Sequence, residues 1–174
     1  MLRVFCAPRC GAGSAGGSAD VYSLLEYAFM TEYGGNLPEI KKTPNGKPFF
    51  PGRPDVHFSL SHSATHVLCA LSDGPVGADI ESPRIISGRA IQYFCSPEER
   101  SLFDPLDLWV LKESYIKLVG GMLPLVKSIR FSFENGRIIT KDRSSVSMLY
   151  RIGVCRAAVS IHSGDLPDSI EVVR

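Results

Sequence analysis

The hexapeptide Val76-Gly77-Ala78-Asp79-Ile80-Glu81 constrains the fold more than any other stretch of this chain. Its alternation predicts a short strand over 76–81. Side chains alternate faces along a strand, so Ala78 and Ile80 share an apolar face. Asp79 and Glu81 share the other, with Cα atoms roughly 6.5–7 Å apart. Such a strand needs a core on one side and, on the other, an environment that tolerates two adjacent acids. Neighbouring carboxylates repel each other. A divalent cation removes that penalty, and hard ions such as Mg²⁺ prefer carboxylate oxygens.

A second segment complements the first. The spacing of Leu108, Leu111, Tyr115 and Leu118 predicts a helix over 106–119 with these residues as its buried stripe. Glu113 and Lys117 lie one turn apart on another face, with Cβ atoms about 5–6 Å apart. Glu113 is placed to complete a metal site and Lys117 to meet a phosphate. Upstream, Phe58-Ser-Leu-Ser-His62 ends a strand on a histidine. Taken singly, each piece has a plainer reading: a solvated Glu–Lys pair, an exposed strand edge, a structural Ser-His turn. Their order and spacing together point to one site that holds a metal ion and a phosphate-rich ligand.

The remaining chain sets the frame. A length of 174 residues suggests one domain, or two small halves sharing a core. A net charge of +1 argues against a bulk nucleic-acid binder. The five cysteines are odd in number and scattered. Cys69 and Cys155 sit in apolar runs and read as small buried hydrophobes. Cys6 and Cys10 form a lone C-x-x-x-C with no second pair, which speaks against zinc. The apolar run at 4–7 is too short for a signal-peptide core, and no stretch approaches a membrane span. A soluble, cytoplasmic protein is expected.

Local patterns predict a strand over 2–7, a helix over 20–33 stopped by Gly34-Gly35, and strands over 56–62 and 66–72. With 76–81 these last two read as a three-stranded meander. Short helices follow over 87–94 and from Ser96, whose S-x-x-E sequence is a capping box. Asn135-Gly136 predicts a hairpin between 129–133 and 137–140. Residues 148–162 read as one long strand or two shorter ones, and 169–173 as a last strand. Strands in hairpins rather than in one-to-one alternation with helices give an α+β fold. Gly11-Ala-Gly13-Ser-Ala-Gly16 is a literal G-x-G-x-x-G, but residues 37–44 carry two prolines where a dinucleotide-binding unit needs its second strand. A flexible glycine loop is the better reading. A nicotinamide-dependent oxidoreductase stays open, with loss of cofactor binding on Gly13→Val as its signature.

Gly46-Lys47-Pro48, Phe58-Ser-Leu-Ser61-His62-Ser63, Val76-Gly-Ala-Asp79-Ile-Glu81 and Trp109-Val-Leu-Lys112-Glu113-Ser-Tyr-Ile-Lys117 resemble, in that order, the blocks of the 4′-phosphopantetheinyl transferases. The likeness is to the single-chain, pseudo-dimeric, surfactin-synthetase activator-like type. It is strong from about residue 43 to 125 and looser beyond. It implies two similar subdomains, 1–84 and 85–174, related by a pseudo-twofold axis with the site in the cleft between them. It implies transfer of 4′-phosphopantetheine from coenzyme A to a serine of an acyl or peptidyl carrier protein. Asp79, Glu81 and Glu113 would hold Mg²⁺. Lys117 would steady the phosphate under attack. His62, with Ser61 or Ser63 nearby, would bind phosphate of coenzyme A, and Lys47 and Pro48 would lie near its nucleotide end. Glu113, directly or through a water, would be the base. A monomer is expected of a single-chain type. A non-catalytic relative that binds coenzyme A or a carrier protein is the alternative. Two departures stand out. Relatives carry basic residues on the early helix and often a lysine after the later one. Here the 20–33 helix has none, with Arg9, Lys41, Lys42 and Arg53 as nearby substitutes, and the later step reads Gly120-Gly121-Met122.

Overall fold

The computed structural model describes residues 1–9 and 16–173, with no side-chain description for 16–19. Cys10 and residues 11–15 of the glycine loop lie outside the described residues. Two antiparallel-dominated sheets stack face to face, and helices cover the outer face of each. The α+β expectation is met.

The first sheet contains β1 (Leu2–Pro8), β4 (His57–His62), β5 (His66–Ser72) and β11 (Glu171–Val172), in the order β11-β1-β5-β4. Helix α1 (Gly16–Tyr33) packs on its outer face. Leu24, Leu25, Ala28 and Phe29 meet Phe5, Phe58, Cys69 and Leu71 there. A two-stranded ribbon, β2 (Lys41–Lys42) with β3 (Pro48–Phe49), links α1 to β4. The strand after α1 therefore does not lie beside β1, and no parallel βαβ unit forms around the glycine loop among the described residues.

The second sheet contains β6 (Val76–Glu81), β7 (Phe131–Glu134), β8 (Arg137–Thr140), β9 (Val146–Ile152) and β10 (Cys155–Ile161), in the order β6-β10-β9-β8-β7. Residues 148–162 thus make two strands, turned at Gly153 with φ 56°. Asn135 (φ 51°) and Gly136 (φ 77°) build the predicted hairpin turn. Helices α2 (Gly88–Phe94), α3 (Pro97–Leu102) and α4 (Pro105–Val119) cover this sheet. Ser96 and Glu99 form the predicted capping box, and Asp104 caps α4 ahead of Pro105.

The meander expected of 56–81 does not form. β6 leaves β5 and pairs with β10, while β11 returns from the far end of the chain to pair with β1. A ladder of side chains bridges the gap left between β4 and β6. The Ser59 hydroxyl accepts from the Ala78 N–H at 2.9 Å and the Ser61 hydroxyl from the Ile80 N–H at 3.3 Å. These serines satisfy N–H groups on the free edge of β6 that no strand reaches. Between the sheets, Val4, Cys6, Leu68 and Ala70 meet Val76, Ala78, Ile80, Ala157 and Val159. Burial holds the Cys6 thiol up to about 12, so it is an inert core group.

Helix α4 is buried around most of its circumference. Lys112, fully buried, donates to Glu99 (3.1 Å) and to the carbonyls of Phe94, Val126 and Ile129. The other Glu99 oxygen takes the Phe131 N–H at 3.0 Å. Burial pushes the Lys112 ammonium below its ordinary range, opposed by the Glu99 charge. This pair locks α3, α4 and β7 together and makes no contact with the acids of β6 among the described residues.

Candidate functional site

Gly77 explains how β6 and α4 come together. A Cβ there would lie 1.9 Å from the Ser114 carbonyl oxygen and 2.3 Å from the Leu118 nitrogen. Only a residue without a side chain lets the helix backbone approach this closely. Two and four residues on, Asp79 and Glu81 face the same helix, as the alternation predicts.

The Asp79 carboxylate is the centre of the arrangement. It is 6% exposed. Its Oδ1 accepts from the Ser61 hydroxyl and from the Lys117 ammonium, both at 2.7 Å. Lys117 also donates to the Leu60 carbonyl at 3.3 Å, so one α4 side chain spans β6 and β4. Asp79 Oδ2 is buried with no hydrogen-bond partner among the described residues. Glu113 lies beside this group. Burial first, then the charges of Asp79 and Glu81, raise its carboxyl above the usual carboxylate range, against the pull of Lys117 and Arg84. Glu81 Oε1 accepts from the Trp109 indole N–H at 3.2 Å and from the Arg84 guanidinium at 3.1 Å.

Asp79, Glu81, Glu113, Lys117 and Ser61 are therefore neighbours. His62 is exposed at the end of β4, one residue past Ser61. Ser63 closes the β4–β5 turn by accepting from the His66 N–H at 3.1 Å. Lys47 and Pro48 line a cavity of about 250 Å³ whose wall also includes Ser59, Leu60, Lys117 and Gly120. The Lys47 ammonium is committed to backbone carbonyls, Leu118 at 2.8 Å and Val76 at 3.4 Å, and Asn45 donates to the Gly120 carbonyl at 2.9 Å. The 45–47 loop thus caps the C-terminus of α4 from across the cavity. Burial lowers the Lys47 ammonium from its ordinary value. Lys47→Met keeps the stem and removes the donor. It should cost about 1–2 kcal/mol, read as a lower urea midpoint at unchanged m-value; an unshifted midpoint would mean the strap contributes nothing.

Three carboxylates with an orphaned, buried Asp79 oxygen suit a hard divalent ion. No three His, Cys, Asp or Glu side chains among the described residues converge to ligand geometry. Lys117 and Arg84 hold two of the three acids, and that is the arrangement a cation would have to reorganise. Of the basic substitutes considered for phosphate binding, Arg53 pairs with Asp55 at 2.9 Å and stacks on Tyr33, and Arg9 donates to the Ser63 carbonyl at 2.9 Å. Lys41 pairs with Glu39 at 3.6 Å, and Lys42 is exposed on β2. No helix among the described residues is long and apolar enough to cross a membrane.

The roles of Trp109, Arg84 and Gly77 escaped the sequence reading. A signal existed for the first: Trp109, Glu113 and Lys117 recur at intervals of four and so share a helix face.

A sequence model described as the 4′-phosphopantetheinyl transferase superfamily matches residues 75–163. A "4′-phosphopantetheinyl transferase" of Bacillus subtilis is 32% identical over 113 residues, 59% of this chain and 48% of the relative. The "4′-phosphopantetheinyl transferase Sfp" of Bacillus subtilis (strain 168) is 40% identical over 90 residues, 46% of this chain and 40% of the relative. The "4′-phosphopantetheinyl transferase ffp" of Bacillus subtilis is 32% identical over 175 residues, 86% of this chain and 75% of the relative. The matches thus span half or less of the first two relatives and three quarters of the third.

Proposed function

The chain belongs to the 4′-phosphopantetheinyl transferase superfamily, and from that premise we propose that it moves 4′-phosphopantetheine from coenzyme A to a serine of an acyl or peptidyl carrier protein. Adenosine 3′,5′-bisphosphate is the other product. The observation that carries this reading is the placement of Glu113 and Lys117 beside the buried Asp79, on a helix that Gly77 draws against β6.

The chain's residues divide the work. The serine Oγ attacks the phosphorus that bears the pantetheine arm, and the bond to the bridging oxygen of the pyrophosphate breaks. The electron pair leaves with the adenosine bisphosphate. Glu113, directly or through a water, takes the serine proton; a carboxyl with a raised pKa is a better base than an ordinary one. Lys117, whose ammonium is held at the site by Asp79 and the Leu60 carbonyl, steadies the group in flight. His62, exposed at the end of β4, meets the phosphates, and Ser61 supports them from behind by holding Asp79 in place. The cavity walled by Lys47 and Pro48 takes the nucleotide end; with its ammonium committed, Lys47 shapes that wall rather than supplying charge. Mg²⁺ held by Asp79, Glu81 and Glu113 would supply charge neutralisation at the pyrophosphate. The residues come from one chain, which suits a monomer, and coenzyme A and a carrier protein as substrates suit a cytoplasmic protein. The halves 1–84 and 85–174 are read as two similar subdomains flanking the site, with β6 of the first lent to the sheet of the second and β11 of the second to the sheet of the first.

Incubating an apo carrier protein with this protein, coenzyme A and Mg²⁺ should add the mass of one phosphopantetheine group, and a chelator should abolish the gain. Binding of coenzyme A without any mass gain across unrelated carrier proteins would favour the second reading, a binding relative without turnover. The committed Lys47 ammonium is the observation that keeps that reading in view.

A further inference from the structure

We propose that Arg84 is a built-in counter-ion for Glu81 which a divalent cation displaces, and that Trp109 beneath it senses the exchange. This rests on the metal reading given above.

Glu81 ends β6 with two donors on the same oxygen, Oε1. Arg84 reaches back three residues to it at 3.1 Å, and its guanidinium also lies 5.5 Å from the centre of the Trp109 ring. The three groups form a closed triangle of ion pair, hydrogen bond and cation–π contact. The neighbouring groups are accounted for. Arg156, opposite Glu81 on β10, is drawn to Asp107 at 3.2 Å, and Asp107 is also held in a two-pronged contact by Arg151. Arg84 is thus the cation that directly meets Glu81, and Lys117 is the one that meets Asp79.

The two cations differ in how easily they leave. In the first pair the Lys117 side chain is 30% and the Asp79 side chain 9% exposed; in the second, Arg84 is 47% and Glu81 27% exposed, and Arg84 is anchored from a segment outside any helix or strand. A partly exposed ion pair is weak and releases its cation readily. Arg84 therefore neutralises Glu81 until the ion arrives. It then swings into solvent or toward an anionic ligand, while the indole N–H keeps Glu81 aimed at the site. Arg84 is a positioning residue in this account, not a catalytic one.

Trp109 is the single tryptophan of the chain, so tryptophan emission comes from this triangle and from the Phe94 ring packed on the indole at 5.2 Å, and the Arg84 variants separate the two. The test titrates the full chain with MgCl₂ at constant ionic strength, with and without coenzyme A, following emission and, in parallel, heat of binding. The wild type should show a saturable change in emission. Arg84→Gln should start with a shifted spectrum, respond with smaller amplitude, and bind Mg²⁺ at a midpoint roughly two- to fivefold lower, the scale expected for removing a partly exposed competing cation. Arg84→Lys should restore most of the competition. Heat of binding without any change in emission, or an Arg84→Gln midpoint equal to wild type, overturns the displacement and leaves the metal site standing. Absence of Mg²⁺ binding by both readouts, with and without coenzyme A, overturns the metal reading and this inference with it.

Discussion

Gly77→Ala should lower the unfolding midpoint by roughly 6–12 °C and remove most transfer activity. The added methyl would meet backbone atoms of α4 at 1.9 and 2.3 Å, and a helix backbone cannot step aside as a flexible side chain can. Overpacking of a tight site costs typically 1–3 kcal/mol, and contact with three backbone atoms of α4 puts this change at about 3 kcal/mol or beyond. For a chain of this size each kcal/mol shifts Tm by roughly 2–4 °C. The activity loss has its own cause. If α4 slides outward to relieve the clash, Glu113 and Lys117 move away from Asp79 together. Gly74→Ala is the matched control, since a Cβ there meets nothing within 4 Å. A Gly77→Ala protein with wild-type Tm would mean that β6 and α4 do not approach as described.

Glu113→Gln should reduce phosphopantetheine transfer by at least about 10³-fold. Loss of a general base alone removes on the order of 10²–10⁴, and this side chain is also assigned to the metal. The fold should not suffer. Burial and the charges of Asp79 and Glu81 all oppose ionisation of Glu113 in the native protein. A neutral amide of the same shape relieves that repulsion, so Tm should stay level or rise. The two readouts therefore move independently, which a merely structural carboxylate would not produce. Activity within threefold of wild type would remove Glu113 from the chemistry. A loss of activity that follows a loss of Tm would make its role structural.

What the sequence made legible was local. The α4 helix, the alternation of β6, the Ser96 capping box and the Asn135-Gly136 turn each depend on residues within a few positions of one another, and each stands where it was expected, except that burial on α4 runs past the predicted stripe to Val110, Lys112, Ser114 and Ile116 while Tyr115 is only half-buried. The partner of β6 was not legible. Three strands joined by short turns normally form a meander, and nothing in residues 56–81 announces that the third will cross to β10. In hindsight the serines at 59 and 61 carry a trace of it, because alternating hydroxyls on one face suit an edge that must satisfy a neighbour's N–H groups without pairing to it. Lys112 and Lys47 show a different limit. Both are basic residues inside recognisable blocks, yet one is buried against Glu99 and the other ties down carbonyls. Residue type gave their charge, but only packing decided whether that charge was spent inside the fold or offered to a ligand.

The crossing of strands has a consequence for how the chain is made. β1 leaves the ribosome long before β11, the strand that covers its outer edge, and the partner of β6 is completed only shortly before β11. At roughly 5–20 residues per second, both edges stay open for several seconds of translation. During that time the exposed backbone of β1 and β6 is a template for pairing with another nascent chain. Ribosomes closely spaced on one message would therefore be the setting in which this fold is most vulnerable, and slow codons between β6 and β11 would lengthen the exposure rather than help folding.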